Sequence, residues 1–201
     1  MARVDKRAAL LAGATTVFAR DGYTRASIDA IAAAAQVSSR TIYNHFGDKA
    51  QLFQAVIQES AGQVAGAQIA LIERYLHKVT DLEADLFEFG VAWLTPIPGF
   101  ADHSALVRQI NAELEHIPQA AIDSWQETGP LRVRRALAER FAQLGADGLL
   151  RIDDPERAAL HFGVLIYPDG PLRRRTTRTE AEIVGSVRAG VRTFLHGHLN
   201  Q

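Results

Sequence analysis

Arg40, Thr41, Tyr43 and Asn44 place a guanidinium, a hydroxyl, a phenol and a carboxamide close together in the chain. These groups suit the reading of a nucleic acid better than the breaking of bonds: arginine forks onto guanine, asparagine onto adenine, and hydroxyls meet phosphate oxygens. They act together only if they face one way. At about 100° per residue, a helix that buries Ile42 and Phe46 turns Arg40 and Asn44 outward, with Thr41 and Tyr43 flanking them. Ser27, Ser38, Ser39 and His45 supply further polar groups around this face. Lys49 lies in the first turn of the next helix, where a cation opposes the helix dipole and a docked phosphate would relieve the mismatch. A merely solvated helix face would accept the same residues, so the argument turns on what holds them.

The surrounding pattern is that of a helix-turn-helix. Ser27 is suited to an N-cap, and Ile28, Ile31 and Ala32 repeat with the period of a buried helical stripe. Val37 ends the turn, Ser38 can cap the second helix, and Ser39 to Phe46 becomes the recognition helix. Upstream, residues 6–20 form a first helix with Leu10, Leu11, Ala14, Val17 and Phe18 inward and Gly22 as its stop. Downstream, Asp48 and Gln51 form a capping box for a long helix that passes Ile57, Val64 and Ile69 into the low 70s and would belong to two domains.

Ile31-Ala32, Ala35, Val37-Ser38, Thr41-Ile42-Tyr43, His45-Phe46, Lys49 and Leu52-Phe53 stand at the spacings of the TetR family of bacterial transcriptional regulators, which the first quarter of the chain resembles. Phe18 to Thr24 is similar to that family's first helix and its glycine stop. One departure is Gln36, which stands where the turn often holds glycine; a left-handed conformation there would cost about 1–2 kcal/mol. The resemblance implies a homodimer with a pseudo-palindromic double-stranded DNA operator, and a ligand cavity within a helical body. It also places His45 against a phosphate.

The rest of the chain reads as helices. Thr80 and Glu83 suggest a capping box before Leu82, Leu86, Phe89 and Trp93, and Pro96 to Gly99 breaks that helix. Leu106, Ile110, Leu114 and Ile117 mark the next, Ile122 and Trp125 a short one, and Val133, Leu137, Phe141 and Leu144 another. Asp154-Pro155 starts a helix through Phe162, and Thr179 with Glu182 caps the last, which carries Ile183, Val187, Val191 and Phe194. A turn from Pro168 to Pro171 and an arginine-rich loop from Arg173 to Arg178 separate the two; the loop reads as solvated. The expectation is an all-α protein of about nine helices, with a three-helix DNA-binding domain at 1–47 and an effector-binding and dimerisation domain at 48–201.

Phe89, Trp93, Phe100, His103, Arg108, Trp125 and His161 are the candidates for an effector site, although position by position core packing is the better reading of the aromatics, and an exposed Arg108 paired with Glu113 or Asp102 the better reading of that residue. The effector would be small and mainly apolar or aromatic. Dimerisation falls to the helices after Pro155 and Glu180, pairing as a four-helix bundle, with Gly163, Gly185 and Gly190 allowing close approach and Val187 and Val191 at the contact.

Composition excludes several classes. The 201 residues include no cysteine, which removes disulfides and thiolate chemistry. Residues 1–50 carry seven Lys/Arg and four Asp, a net +3 in a chain of net −1, so the remainder is acidic at −4. A basic end on an acidic body suits a protein that grips a polyanion at one end. Signal-peptide and membrane-span patterns are missing, which points to the cytoplasm. The histidines lack metal-site spacing, and neither a phosphate loop nor a nucleophile arrangement is present, so no enzyme activity, metal or cofactor is expected. What the resemblance implies is a sequence-specific repressor released from its operator by a small, mainly apolar ligand. The alternatives are a helix-turn-helix regulator controlled by a protein partner or by DNA alone, and, remotely, an enzyme fused to a helix-turn-helix.

Overall fold

The computed structural model describes residues 6–167 and 179–198, and every regular element among them is helical. The sequence-expected turn at 168–171 and the arginines from Arg173 to Arg178 lie outside the described residues. In chain order the helices are α1 (Lys6–Arg25), α2 (Ile28–Ala35), α3 (Ser39–Phe46), α4 (Lys49–Leu76), α5 (Leu82–Leu94), α6 (Ala101–Ala112), a 3-10 turn (Leu114–His116), α7 (Gln119–Thr128), α8 (Pro130–Ala146), α9 (Pro155–Ile166) and α10 (Glu180–His198).

Packing divides the chain into two compact units, Met1–Ala65 with Ile97–Pro130, and Gly66–Pro96 with Leu131–Gln201. This division is not the 47/48 boundary suggested by the motif. The first unit takes in α6 and α7 because Leu106, Ile110, Ile117, Ala121 and Ile122 share one apolar core with Leu10, Phe18, Ile31, Ile42 and Phe53. A three-helix motif of this length has too little interior of its own, and the added helices enlarge the area it removes from water. Phe18 meets Phe53 edge-on at 4.9 Å between ring centres. Gly13 is the close-approach point of α1 and α2, since a Cβ there would lie 2.7 Å from the backbone nitrogen of Ala35.

The second unit is built on Phe89, Phe141, Phe162 and Phe194, whose neighbouring ring centres are 5.2–5.7 Å apart. Such contacts add to the burial of large apolar rings. Gly190 lets α10 cross α9 against bare backbone: a Cβ would collide with the Leu165 carbonyl oxygen and lie 2.8 Å from the Ile166 Cα. The hydroxyl of Ser186 donates to the Ile166 carbonyl at 2.9 Å, serving the open end of α9. Arg140 does the same for α4, donating to the carbonyls of Leu76 and His77.

Four expectations require correction. The cap of α5 is Asp81, which accepts from the Ala84 N–H at 3.0 Å, and Asp85 rather than Glu83 reaches back to the N–H groups of Thr80 and Asp81. Leu114 is exposed, because the α-helix ends at Ala112 and the tighter 3-10 turn rotates it out of the apolar stripe. Val187 and Val191 are fully buried inside their own unit, so they cannot form a contact between subunits. Gly190 is likewise used within the chain, whereas Gly163 and Gly185 face open space.

Candidate nucleic-acid interface

Short-range hydrogen bonds build the helix-turn-helix from its sequence. The Ser27 hydroxyl accepts from the Ala30 N–H at 3.1 Å and caps α2, and the Ser38 hydroxyl accepts from the Thr41 N–H at 3.2 Å and caps α3. Between the helices, Gln36 adopts φ 55° and ψ 41°, the left-handed conformation that its position requires. Its N–H turns to the Ala33 carbonyl at 3.3 Å, and the Val37 N–H reaches back to the Ala32 carbonyl at 3.0 Å. That pattern reverses the chain and lets Val37 pack on the core.

With Ile42 and Phe46 buried, the outer face of α3 carries Arg40, Tyr43, Asn44 and His45, all exposed. Among the described residues, no hydrogen bond or ion pair occupies the side chains of Arg40, Tyr43 or Asn44. Tyr43 is 51% exposed, a large aromatic left in water beside two polar groups. The neighbouring hydroxyls are less available than the sequence suggests. Thr41 is half-buried and its hydroxyl lies 2.9 Å from that of Ser38. Ser39 donates to the Asp29 carboxylate at 2.7 Å, a link from α3 to α2 that sequence reasoning missed. The signal for it was present, since Asp29 opens α2 and Ser39 opens α3.

Lys49 has a different partner from the one expected. Its ammonium donates to the carbonyls of Tyr23 at 3.0 Å, Thr24 at 3.4 Å and Ala26 at 3.2 Å, and lies 4.8 Å from the Tyr23 ring centre. The dipole mismatch that pointed to a phosphate is thus met within the chain, by the segment between α1 and α2. At the start of α4, Asp48 accepts from the Gln51 N–H at 2.8 Å and compensates further.

The effector candidates are divided between the two units. Phe100, His103, Arg108 and Trp125 belong to the first unit, and Phe89, Trp93 and His161 to the second. Phe89 is fully buried as core, stacked at 5.7 Å on Phe162. Arg108 and His161 are exposed on the outer faces of their helices, which for Arg108 is the alternative to a ligand-facing role and for His161 runs contrary to one. Phe100, Trp93 and Trp125 are half-buried. His103 is also half-buried, with its Nδ1 2.9 Å from the Ser60 hydroxyl, and burial pushes its pKa below the ordinary imidazole value. An open groove of about 390 Å³ lies elsewhere in the second unit, lined by Asp81, Glu83, Ala84, Phe87, Arg188, Val191 and Arg192. None of the expected effector residues lines it.

Comparison with known proteins agrees with this architecture. Residues 10–56 match the family model for bacterial regulatory proteins of the tetR family, and residues 85–197 match the C-terminal domain of AefR-like transcriptional repressors. A DNA-binding transcriptional repressor TetR of Mycobacteroides abscessus is 48% identical over 58 residues, which is 28% of this chain and 30% of that protein. The transcriptional activator FasR of Mycolicibacterium smegmatis is 40% identical over 70 residues, 34% of this chain and 32% of its own. The chain thus spans about a third of the length of these curated relatives. Whole-chain likeness comes from structures. A TetR-family transcriptional regulator from Mesorhizobium loti superposes with a TM-score of 0.82 at 28% identity, covering 97% of each chain. The flavonoid-responsive regulator FrrA gives 0.71 at 29% identity over 98% of each. With one family model on the helix-turn-helix and another across more than half of the chain, the protein belongs to the TetR family of bacterial regulatory proteins.

Proposed function

We propose that this chain is a sequence-specific DNA-binding transcriptional repressor that acts in the cytoplasm as a homodimer. The observation that carries the reading is the outer face of α3: Arg40, Tyr43 and Asn44 are exposed and uncommitted on a helix whose caps and buried face fix its orientation. A face merely solvated would not need a strained turn at Gln36 to present it. Arg40, Tyr43 and Asn44 read base edges, Thr41 adds its methyl and the shared hydroxyl, Ser27, Ser38 and His45 meet phosphates, and Ser39 orients α3 through its bond to Asp29. Lys49 contributes by holding the carbonyls before α2. The AefR-like repressor match over the body supports repression rather than activation.

Dimerisation is assigned to α9 and α10, but through their outer faces. Leu160 and Val164, 48% and 66% exposed, form an apolar stripe one turn apart on α9. Exposed apolar stripes of this kind seek a partner surface. In such a dimer the two recognition helices would meet successive major grooves about 34–36 Å apart. A small, mainly aromatic effector that prefers another spacing would lower operator affinity by its coupling energy. The flavonoid response of FrrA, 29% identical across nearly the whole chain, supports an aromatic effector here, with Phe100, His103 and Trp125 of the first unit as the residues to test. Control without a small molecule is the competing reading, favoured by Phe89 being core and by Arg108 and His161 facing solvent.

Selection from a random duplex library tests the central claim. A pseudo-palindrome should emerge, and Arg40→Ala or Asn44→Ala should cost about 1–3 kcal/mol and relax preference at one position of each half-site. Recovery of no preferred sequence would overturn the reading.

A further inference from the structure

We propose that Glu113, at the end of α6 and far from α3 in sequence, is a positioning residue for DNA binding: its carboxylate holds the backbone from which α2 and α3 depart. This rests on the DNA-binding reading above. The Glu113 Oε2 accepts from the Thr24 N–H at 2.8 Å and from the Thr24 hydroxyl at 3.1 Å. The same carboxylate fills the space beside Gly22, where a Cβ would collide with its Oε1 and lie 2.9 Å from its Cδ. Gly22 itself has φ 78° and ψ 179°, a break in α1 that only glycine enters without strain. One turn earlier on α6, Gln109 donates to the Arg20 carbonyl at 3.5 Å.

The charge of Glu113 is otherwise poorly placed. It is the C-cap of α6, where the dipole disfavours a carboxylate, and it precedes the 3-10 turn. A carboxylate at that end of a helix is accounted for by the N–H and hydroxyl that it satisfies on Thr24. On the other side, Lys49 holds the carbonyls of Tyr23, Thr24 and Ala26. The segment between α1 and α2 is therefore clamped by an anion on its N–H side and a cation on its C=O side. Thr24 stands three residues before Ser27, the cap of α2, so its placement sets where α2 begins.

The test measures operator affinity with the duplex recovered by selection, together with amide exchange at Thr24. Glu113→Ala should raise the operator Kd roughly 3- to 30-fold, because fewer molecules hold the binding-competent backbone, and should speed Thr24 exchange. Glu113→Gln keeps one acceptor oxygen and should stay within roughly threefold of the wild type. Thr24→Ala and Glu113→Ala together should cost less than the product of their separate effects. Glu115→Ala, exposed two residues further on, is the control and should change nothing. If Glu113→Ala does not fold, Glu113→Gln and Thr24→Ala carry the comparison. Operator affinity and Thr24 exchange unchanged in Glu113→Ala, or strictly multiplicative double-mutant effects, would overturn the proposal. Failure of the functional reading looks different: the wild type itself then selects no operator.

Discussion

Replacing Gln36 with glycine should stabilise the protein, and the size of the gain follows from the turn. Gln36 is the one non-glycine residue with positive φ among those described, and its φ 55° and ψ 41° sit in the left-handed well. An L side chain there costs about 1–2 kcal/mol, which glycine does not incur. Glycine in turn gains freedom in the unfolded chain, which offsets about 0.4–1 kcal/mol. The side chain is exposed, so truncation removes little packing. The net expectation is a gain centred on about 0.8 kcal/mol and at most about 1.6 kcal/mol, so about 2–3 °C in melting temperature at the centre for a chain of this size. Urea and thermal unfolding at one fixed protomer concentration would measure it, since dimerisation makes the midpoint depend on concentration. Gln36→Ala keeps the Cβ and should not gain. Operator affinity of Gln36→Gly should match the wild type, because the backbone already holds this conformation. Equal or lower stability of Gln36→Gly than of the wild type would refute the idea that strain is stored in the turn.

Val187→Asp should cost upwards of about 3 kcal/mol, read as a lowered urea midpoint, since the site is dry core, whereas Leu160→Asp with Val164→Asp should leave stability of the helices intact and convert a sedimenting dimer into a monomer. Gly190→Ala should destabilise by about 1–3 kcal/mol through the α9 backbone, while Gly185→Ala, with open space around it, should gain about 0.5–1 kcal/mol; urea midpoints distinguish the two. His103 is held neutral by burial, so below the ordinary imidazole pKa of about 6.5 the unfolded chain takes up a proton that the folded chain refuses. Stability should fall as pH drops from about 6.5 to the depressed folded value, and His103→Gln should flatten that limb of a stability-against-pH curve.

What the sequence determined by itself was local. Ser27, Ser38, Asp48, Asp154 and the Thr179–Glu182 pair cap the helices expected of them, because capping joins residues only two or three apart. The outward face of α3 followed from helical period once Ile42 and Phe46 were taken as buried, and the break at Gly22 from its being a glycine, whereas the left-handed Gln36 was raised only by the glycine that the resembled family often holds at that turn. Tertiary structure decided everything that depends on a distant partner. An apolar stripe says that Val187 and Val191 are buried, but not whether their own chain or another copy covers them; Val187 fills the space beside Gly90 of its own unit. Lys49 shows in sequence as a cation at the wrong end of a helix, and only the fold supplies the three carbonyls it holds. Glu113 gave no such signal, because the apolar stripe carried its helix on through Ile117; the structure ends α6 at Ala112 and brings Glu113 to Thr24, 89 residues away. Helix period and caps act over a turn or two of chain, whereas the choice of covering surface and of ionic partner is made only when distant helices pack.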